Sequence, residues 1–110
     1  MIAYAEREFR LNLPQKDGRP LRQHIEAVMR VTHRWPEGAE PRLLPEGAAY
    51  LWEWFCEISG RRQGGMGPLA LSWTDIEAWA RLRSISLSAF EIDCFNALER
   101  AYWRVQREAQ

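Results

Sequence analysis

The stretch that decides the fold is SAFEIDCFNALERAYWRV, residues 88–105. It opens with Ser88-Ala89-Phe90-Glu91, a capping box in which the two polar side chains bond backbone N–H groups of the first turn. At 100° per residue the apolar side chains that follow fall on one arc, which predicts a helix over about 89–107. Its inner arc comprises Phe90, Cys94, Phe95, Ala97, Leu98, Ala101, Tyr102 and Val105, and Ile92 and Trp103 point away from it.

Three more helices are predicted upstream of this one. Pro20 suits the first position of a helix over about 20–34, which ends at Trp35-Pro36 because the residue before proline avoids the helical region. The other two span about 45–59 and about 73–83, the latter behind a Ser72 cap. The predicted fold class is therefore mainly α, a small bundle of about four helices.

The N-terminal residues leave two interpretations open. Residues 8–14 alternate polar and apolar, which predicts a short strand over 9–13 that ends at Pro14. A helix from Ile2 to Phe9 is the alternative. We expect one domain over 1–110, with an extended or strand-like arm at 1–19, a helical core at 20–110 and loops at 36–47 and 60–71.

Composition excludes several classes of protein. The chain has 110 residues, a formal net charge of zero and two cysteines, so it cannot carry a disulfide framework and is not expected to bind nucleic acid generally. Charge is even along the sequence, with eight basic and nine acidic groups in residues 1–60. No apolar run is long enough to span a membrane. Fourteen of the fifteen cations are arginine, which suits stacking on aromatic rings at interfaces, although codon bias explains it equally well.

No pattern of catalytic or metal-binding residues stands out. The glycine-rich loop at 60–68 lacks the Gly-Lys-Ser/Thr ending of a phosphate-binding loop. The two histidines and two cysteines, His24, His33, Cys56 and Cys94, are scattered, and both cysteines are expected on inner helix faces as small hydrophobes. We therefore predict that the protein is not an enzyme and holds no cofactor and no metal.

Five short motifs, rich in apolar and aromatic residues, fall between positions 44 and 103. They are Leu44-Pro45-Glu46-Gly47, Leu51-Trp52-Glu53-Trp54-Phe55, Gly64-Gly65-Met66-Gly67-Pro68, Leu71-Ser72-Trp73-Thr74-Asp75-Ile76-Glu77-Ala78-Trp79 and Leu98-Glu99-Arg100-Ala101-Tyr102-Trp103. In these motifs the chain resembles the tail assembly chaperones of lambda-like tailed phages and prophages. The resemblance implies a non-catalytic helical protein of the bacterial host cytoplasm. It would bind the tape measure protein and help tail tube subunits assemble.

Six residues are predicted to contact such a partner. Tyr50, Trp54 and Trp103 are the aromatics that the helical wheels leave outside the apolar arcs, and Arg61, Arg62 and Met66 lie in the loop after the second predicted helix. A chaperone for an extended helical client needs exposed aromatic surface of this kind. Burial of Tyr50 and Trp54 by another helix or by a second copy is the alternative. The competing functions are a structural tail or neck component and a small phage regulator that binds a host protein.

Overall fold

Five helices form the protein in the computed structural model, which describes residues 1–37, 39–62 and 69–109. They are α1 (Ile2–Leu11), α2 (Leu21–Thr32), α3 (Ala49–Ser59), α4 (Trp73–Leu82) and α5 (Ala89–Glu108). The described residues contain no strand, only an isolated antiparallel bridge between Pro14 and Pro20. The mainly helical fold is confirmed, and the four predicted helices all occur within a few residues of their expected bounds.

The strand predicted at residues 9–13, and with it the extended arm at 1–19, is wrong. Residues Ile2–Leu11 are helical, and Ala5 and Phe9, four residues apart, are both buried on one face. That i,i+4 spacing is the helical signal, and the polar–apolar alternation was too short to outweigh it. The bridge that follows closes a turn in which Gly18 has a φ of 81° and Asp17 accepts a hydrogen bond from the backbone N–H of Arg19.

The chain divides into two compact units, and α5 contributes residues to both. The N-terminal unit comprises Met1–Leu44 and Ala101–Gln110, and the central unit comprises Pro45–Arg100. Our expectation of one domain over 1–110 stays a prediction. The described residues of the expected loops at 36–47 and 60–71 lie between helices.

The N-terminal unit packs α1 against the last turns of α5. The ring of Phe9 meets that of Tyr102 edge-on, with centroids 5.4 Å apart, and Ala101 and Val105 are fully buried. Helix α2 contributes less: none of its side chains is fully buried, and Val28, expected on its inner arc, is 44% exposed. Most of the apolar burial in this unit therefore comes from α1 and α5.

The core of the central unit is built around Phe55 and Phe95, whose ring centroids lie 6.5 Å apart. Leu51, Ile58, Ile76, Ala80 and Leu98 complete it. Two inner-arc predictions are wrong here: Phe90 is 67% exposed and Cys56 is exposed. Phe90 lies in the first turn of α5, a full turn before the first buried side chain, and Cys56 lies one position off the buried face of α3. Trp73, expected in a core or cap, is 53% exposed as the first residue of α4.

Candidate functional site

Aromatic rings connect the surface of the central unit to its core. Tyr50 meets Trp54 edge-on at 5.0 Å between centroids, Trp54 meets Trp79 at 5.7 Å, and Trp79 meets Phe95 at 6.3 Å. Tyr50 is 39% exposed and Trp54 is half-buried. Of the six predicted contact residues, the structure brings these two into ring contact, and α4 covers part of Trp54. The outer end of this series, at Tyr50, is exposed to solvent.

The hydroxyl of Tyr50 is tied to the start of α5. It hydrogen-bonds Glu91, whose carboxylate also accepts the backbone N–H of Ser88 at 2.9 Å, while the N–H of Glu91 donates to the Ser88 hydroxyl at 3.2 Å. The capping box predicted at Ser88 is therefore confirmed. The backbone N–H of Ser88 lowers the pKa of Glu91, and desolvation, followed by the hydrogen bond to Glu91, raises the pKa of Tyr50.

Arg62 lies in an internal ion pair. Its guanidinium donates to Glu99, with Nη1 at 3.0 Å from one carboxylate oxygen, and to the carbonyl of Leu69 at 2.8 Å, and it lies over the ring of Phe55 at 5.9 Å. Glu99 in turn accepts the backbone N–H of Leu71 at 2.9 Å. The Arg62 side chain is only 6% exposed. Its charge is therefore used to hold residues on both sides of the 63–68 segment to α5.

The remaining predicted contact residues are separate from this cluster. Arg61 is exposed just after α3. Trp103 is half-buried in the N-terminal unit, where its ring meets Tyr102 edge-on at 5.4 Å. Met66 lies outside the described residues. The five described residues thus do not form one site: Tyr50, Trp54, Arg61 and Arg62 belong to the central unit and Trp103 to the other.

An open apolar groove in the central unit was not predicted from the sequence. Its volume is about 580 Å³, and it runs between α4 and the segment 84–87, lined on its apolar side by Trp73, Ile76, Ala80, Ile85, Leu87 and Ile92. The amide of Ile85 donates to the carbonyl of Ala80 at 2.8 Å, and Ser84 has a φ of 54°, so the chain turns back along α4. One signal was present: Ile92 lies off the inner arc of α5, which leaves its side chain for this groove.

The thiol of Cys94 is half-buried on α5. Burial raises the pKa of the Cys94 thiol, which favours the protonated form. No group of three or more metal-ligating side chains occurs among residues 1–37, 39–62 and 69–109. In the same residues, no helix combines the length and apolar character that crossing a membrane requires.

The two units carry opposite formal charges, although charge is evenly distributed along the sequence. The N-terminal unit holds ten Lys and Arg against seven Asp and Glu, a formal charge of +3. The central unit holds five against eight, a formal charge of −3. The even count along the chain missed this because residues 101–110 join the N-terminal unit. The apolar groove therefore lies in a negatively charged unit.

A comparison with protein families adds an independent finding. A family model described as phage tail assembly chaperone matches residues 28–104, more than two-thirds of the chain. The match covers the whole central unit, including the groove and the aromatic cluster, and leaves out α1 and the first turns of α2. No curated protein and no solved structure shows significant similarity to the chain.

Proposed function

The chain belongs to the phage tail assembly chaperone family, and we propose that it acts without catalysis by binding the tape measure protein while tail tube subunits assemble. The family match carries this proposal. Reversible binding of an apolar client during assembly requires an apolar surface on the chaperone. The protein would act in the cytoplasm of the bacterial host, where tails are built.

We place the client contact on the central unit. Its groove presents apolar side chains in a concave surface, and Trp73 at its edge is 53% exposed. A groove of this kind suits the apolar face of a helix. Tyr50, Trp54 and Arg61 are proposed to extend the contact in the same unit, and Trp103 and Met66 remain proposed contacts. Arg62 would act indirectly, because its guanidinium is bonded to Glu99.

Co-purification with the tape measure protein of the same phage or prophage tests the proposal. We expect the two proteins to associate at micromolar concentration, and Trp73→Ala to weaken the association. Leu69→Ala, which also truncates a half-exposed apolar side chain of the central unit, is the matched control. Circular dichroism of each variant separates lost binding from lost folding.

Mass spectrometry of purified particles separates a chaperone from a structural tail or neck component. A chaperone is released and should be missing or far below stoichiometric amounts in finished particles. Stoichiometric recovery in particles, or no association with the tape measure protein, would overturn the proposal. A partner that proves to be a host protein would favour the regulator instead.

A further inference from the structure

The outward face of α2 carries apolar side chains that its own unit does not cover. Val28 is 44% exposed and Val31 is 81% exposed, and their i,i+3 spacing places them on one side of the helix. An amphipathic helix of a globular protein normally buries its apolar arc against a neighbour. In α2 only the adjoining edge of that arc, at Leu21, Ile25 and Met29, is half-buried.

A pocket of about 300 Å³ adjoins this face. Leu21 and Ile25 of α2 and Leu11 of α1 form part of its wall, so its apolar surface continues along α2 toward Val28. Its charged lining comprises Glu6, Arg7, Arg10, Glu37 and Arg42. Apolar and cationic groups therefore meet in one place in the N-terminal unit.

The pocket has a surplus of positive charge. One of its two carboxylates, Glu6, already accepts a hydrogen bond from Arg104 at 2.8 Å and another from Arg10 at 3.4 Å. Among the described residues neither Arg42 nor Glu37 forms an ion pair, so the surplus of the lining is one formal positive charge, from three arginines against two glutamates. The unit as a whole has a formal charge of +3.

One donor of Arg7 has no acceptor in the described part of the chain. Its Nη2 donates to the carbonyl of Ala39 at 3.0 Å and its Nη1 to Glu8 at 3.2 Å, but its Nε is buried and has no acceptor among the described residues. Buried donors are nearly always paired, so an unpaired one on a pocket-lining side chain calls for an acceptor. Because Nε itself has less than 1 Å² of exposed surface, a carboxylate that enters the pocket supplies this acceptor only when the Arg7 side chain turns.

From these four observations we infer that the N-terminal unit binds an acidic amphipathic helical segment of a partner protein. A Glu or Asp of the segment enters the pocket beside Arg7 and Arg42, and the apolar side chains of the segment cover Val28 and Val31. Charge complementarity favours an acidic segment over a basic one, and the apolar face favours a segment over a small anion. This surface belongs to the N-terminal unit and the groove of the proposed function to the central unit. Of its named contacts, Arg7 lies outside the residues that the family model matches, and Val28, Val31 and Arg42 lie within them.

The test uses two synthetic helical peptides of about 20 residues, a length at which isolated helices begin to persist. One contains leucines on one face and glutamates on the flanks, and the other has glutamine in place of every glutamate. We expect the full-length protein to bind the glutamate peptide at least about tenfold more tightly in fluorescence anisotropy, with affinity falling as salt rises. Equal affinity for the two peptides would overturn the inference.

Three variants locate the binding. Arg42→Glu and Val31→Asp alter exposed side chains, and each should lower the affinity for the glutamate peptide by about tenfold or more. Arg107→Glu makes the same charge reversal at another exposed position of the same unit and is the matched control. If Arg107→Glu weakens binding as much, attraction is non-specific and the site is not the one described.

Two further outcomes would also count against it. If analytical ultracentrifugation shows that the parent protein self-associates and that Arg42→Glu and Val31→Asp do not, the face binds a second copy of this chain. Binding of inorganic phosphate or acetate as tight as that of the peptide would reduce the site to an anion pocket. Because these measurements use peptides, failure here leaves association with the tape measure protein unaffected, and failure of that association leaves this surface intact.

Discussion

Arg62 and Glu99 are 37 residues apart in sequence, and their side chains form a nearly dry ion pair, with exposed fractions of 6% and 18%. Glu99 also binds the amide of Leu71, and Arg62 the carbonyl of Leu69. One pair of charges therefore fastens α5 to the chain on either side of residues 63–68. An internal pair of this kind is costly to break because the remaining charge loses its partner.

Removing one member of this pair should destabilise the fold. We expect Arg62→Ala to lower the free energy of unfolding by about 3 kcal/mol, since Glu99 is left with little solvent around it. Arg81→Ala is the control, because its pair with Glu77 is about three-quarters exposed on both sides and should be worth under about 1 kcal/mol. Urea denaturation of the three proteins measures the difference, and equal losses in the two variants would contradict the structural role.

Phe90 and Phe95 lie one and a half turns apart on α5 and should respond oppositely to a polar substitution. Phe95 is 2% exposed, so Phe95→Ser should cost more than about 3 kcal/mol or abolish folding. Phe90 is 67% exposed, and Phe90→Ser should change the free energy of unfolding by less than about 0.5 kcal/mol. A large loss in Phe90→Ser would show that this side chain is covered in solution.

The contrast between these two residues marks how far the sequence leads. Periodicity and capping residues located all four predicted helices, because those signals are local. These signals do not show which apolar side chains of a helix a neighbouring helix covers. Phe90 and Cys56 were therefore predicted on inner faces, although both are exposed. The pairing of Tyr50 with Trp54 follows from i,i+4 spacing, whereas the contact with Trp79 and the pair of Arg62 with Glu99 join distant parts of the chain.

The charge split could not be read from sequence order either. It depends on the last ten residues, Ala101–Gln110, joining α1 and α2 in one unit. The same holds for the groove beside Trp73, since a sequence pattern shows which side chains are apolar but not which of them line a concave surface. The α1 helix was the one element for which the two local signals conflicted.

The left-handed end of α2 offers a stabilising substitution. His33 has φ 59° and ψ 25°, and its N–H donates to the carbonyl of Met29 at 2.8 Å. A residue with a Cβ is strained there, so His33→Gly should raise the free energy of unfolding by about 0.5–1 kcal/mol. Thermal denaturation measures it. Gly18→Ala, at φ 81°, should act in the opposite direction, and a loss of stability in His33→Gly would refute the argument.

The Glu91 side chain that caps α5 should make the free energy of unfolding depend on pH. The pKa of Glu91 is lowered in the folded protein, chiefly by the N–H of Ser88, so its contribution is present above its unfolded pKa of about 4.3 and is lost as the pH falls through the folded value. We expect Glu91→Gln to be less stable than the parent at about pH 7, with the gap narrowing as the pH is lowered toward about 3. Urea titrations across this range measure the gap, and a gap that stays constant with pH would contradict the assignment.

Trp54→Ala should affect stability as well as binding. Trp54 packs edge-on against both Tyr50 and Trp79, and its loss should cost about 2 kcal/mol. Tyr50→Phe keeps the ring and loses only the hydroxyl bond to Glu91, so it is the milder variant. Binding by Trp54→Ala should therefore be compared at a temperature where the helical signal in its far-ultraviolet circular dichroism matches that of the parent.

The opposite formal charges of the two units should change how this neutral chain behaves in ion-exchange chromatography. A neutral protein with mixed surface charge is weakly retained by ion exchangers near neutral pH. Here a cation exchanger can bind the N-terminal unit through its surplus of cations, and an anion exchanger can bind the central unit through its surplus of carboxylates. For the assembly chaperone that we propose, this distribution would provide one unit that suits an acidic surface and one that suits a basic surface.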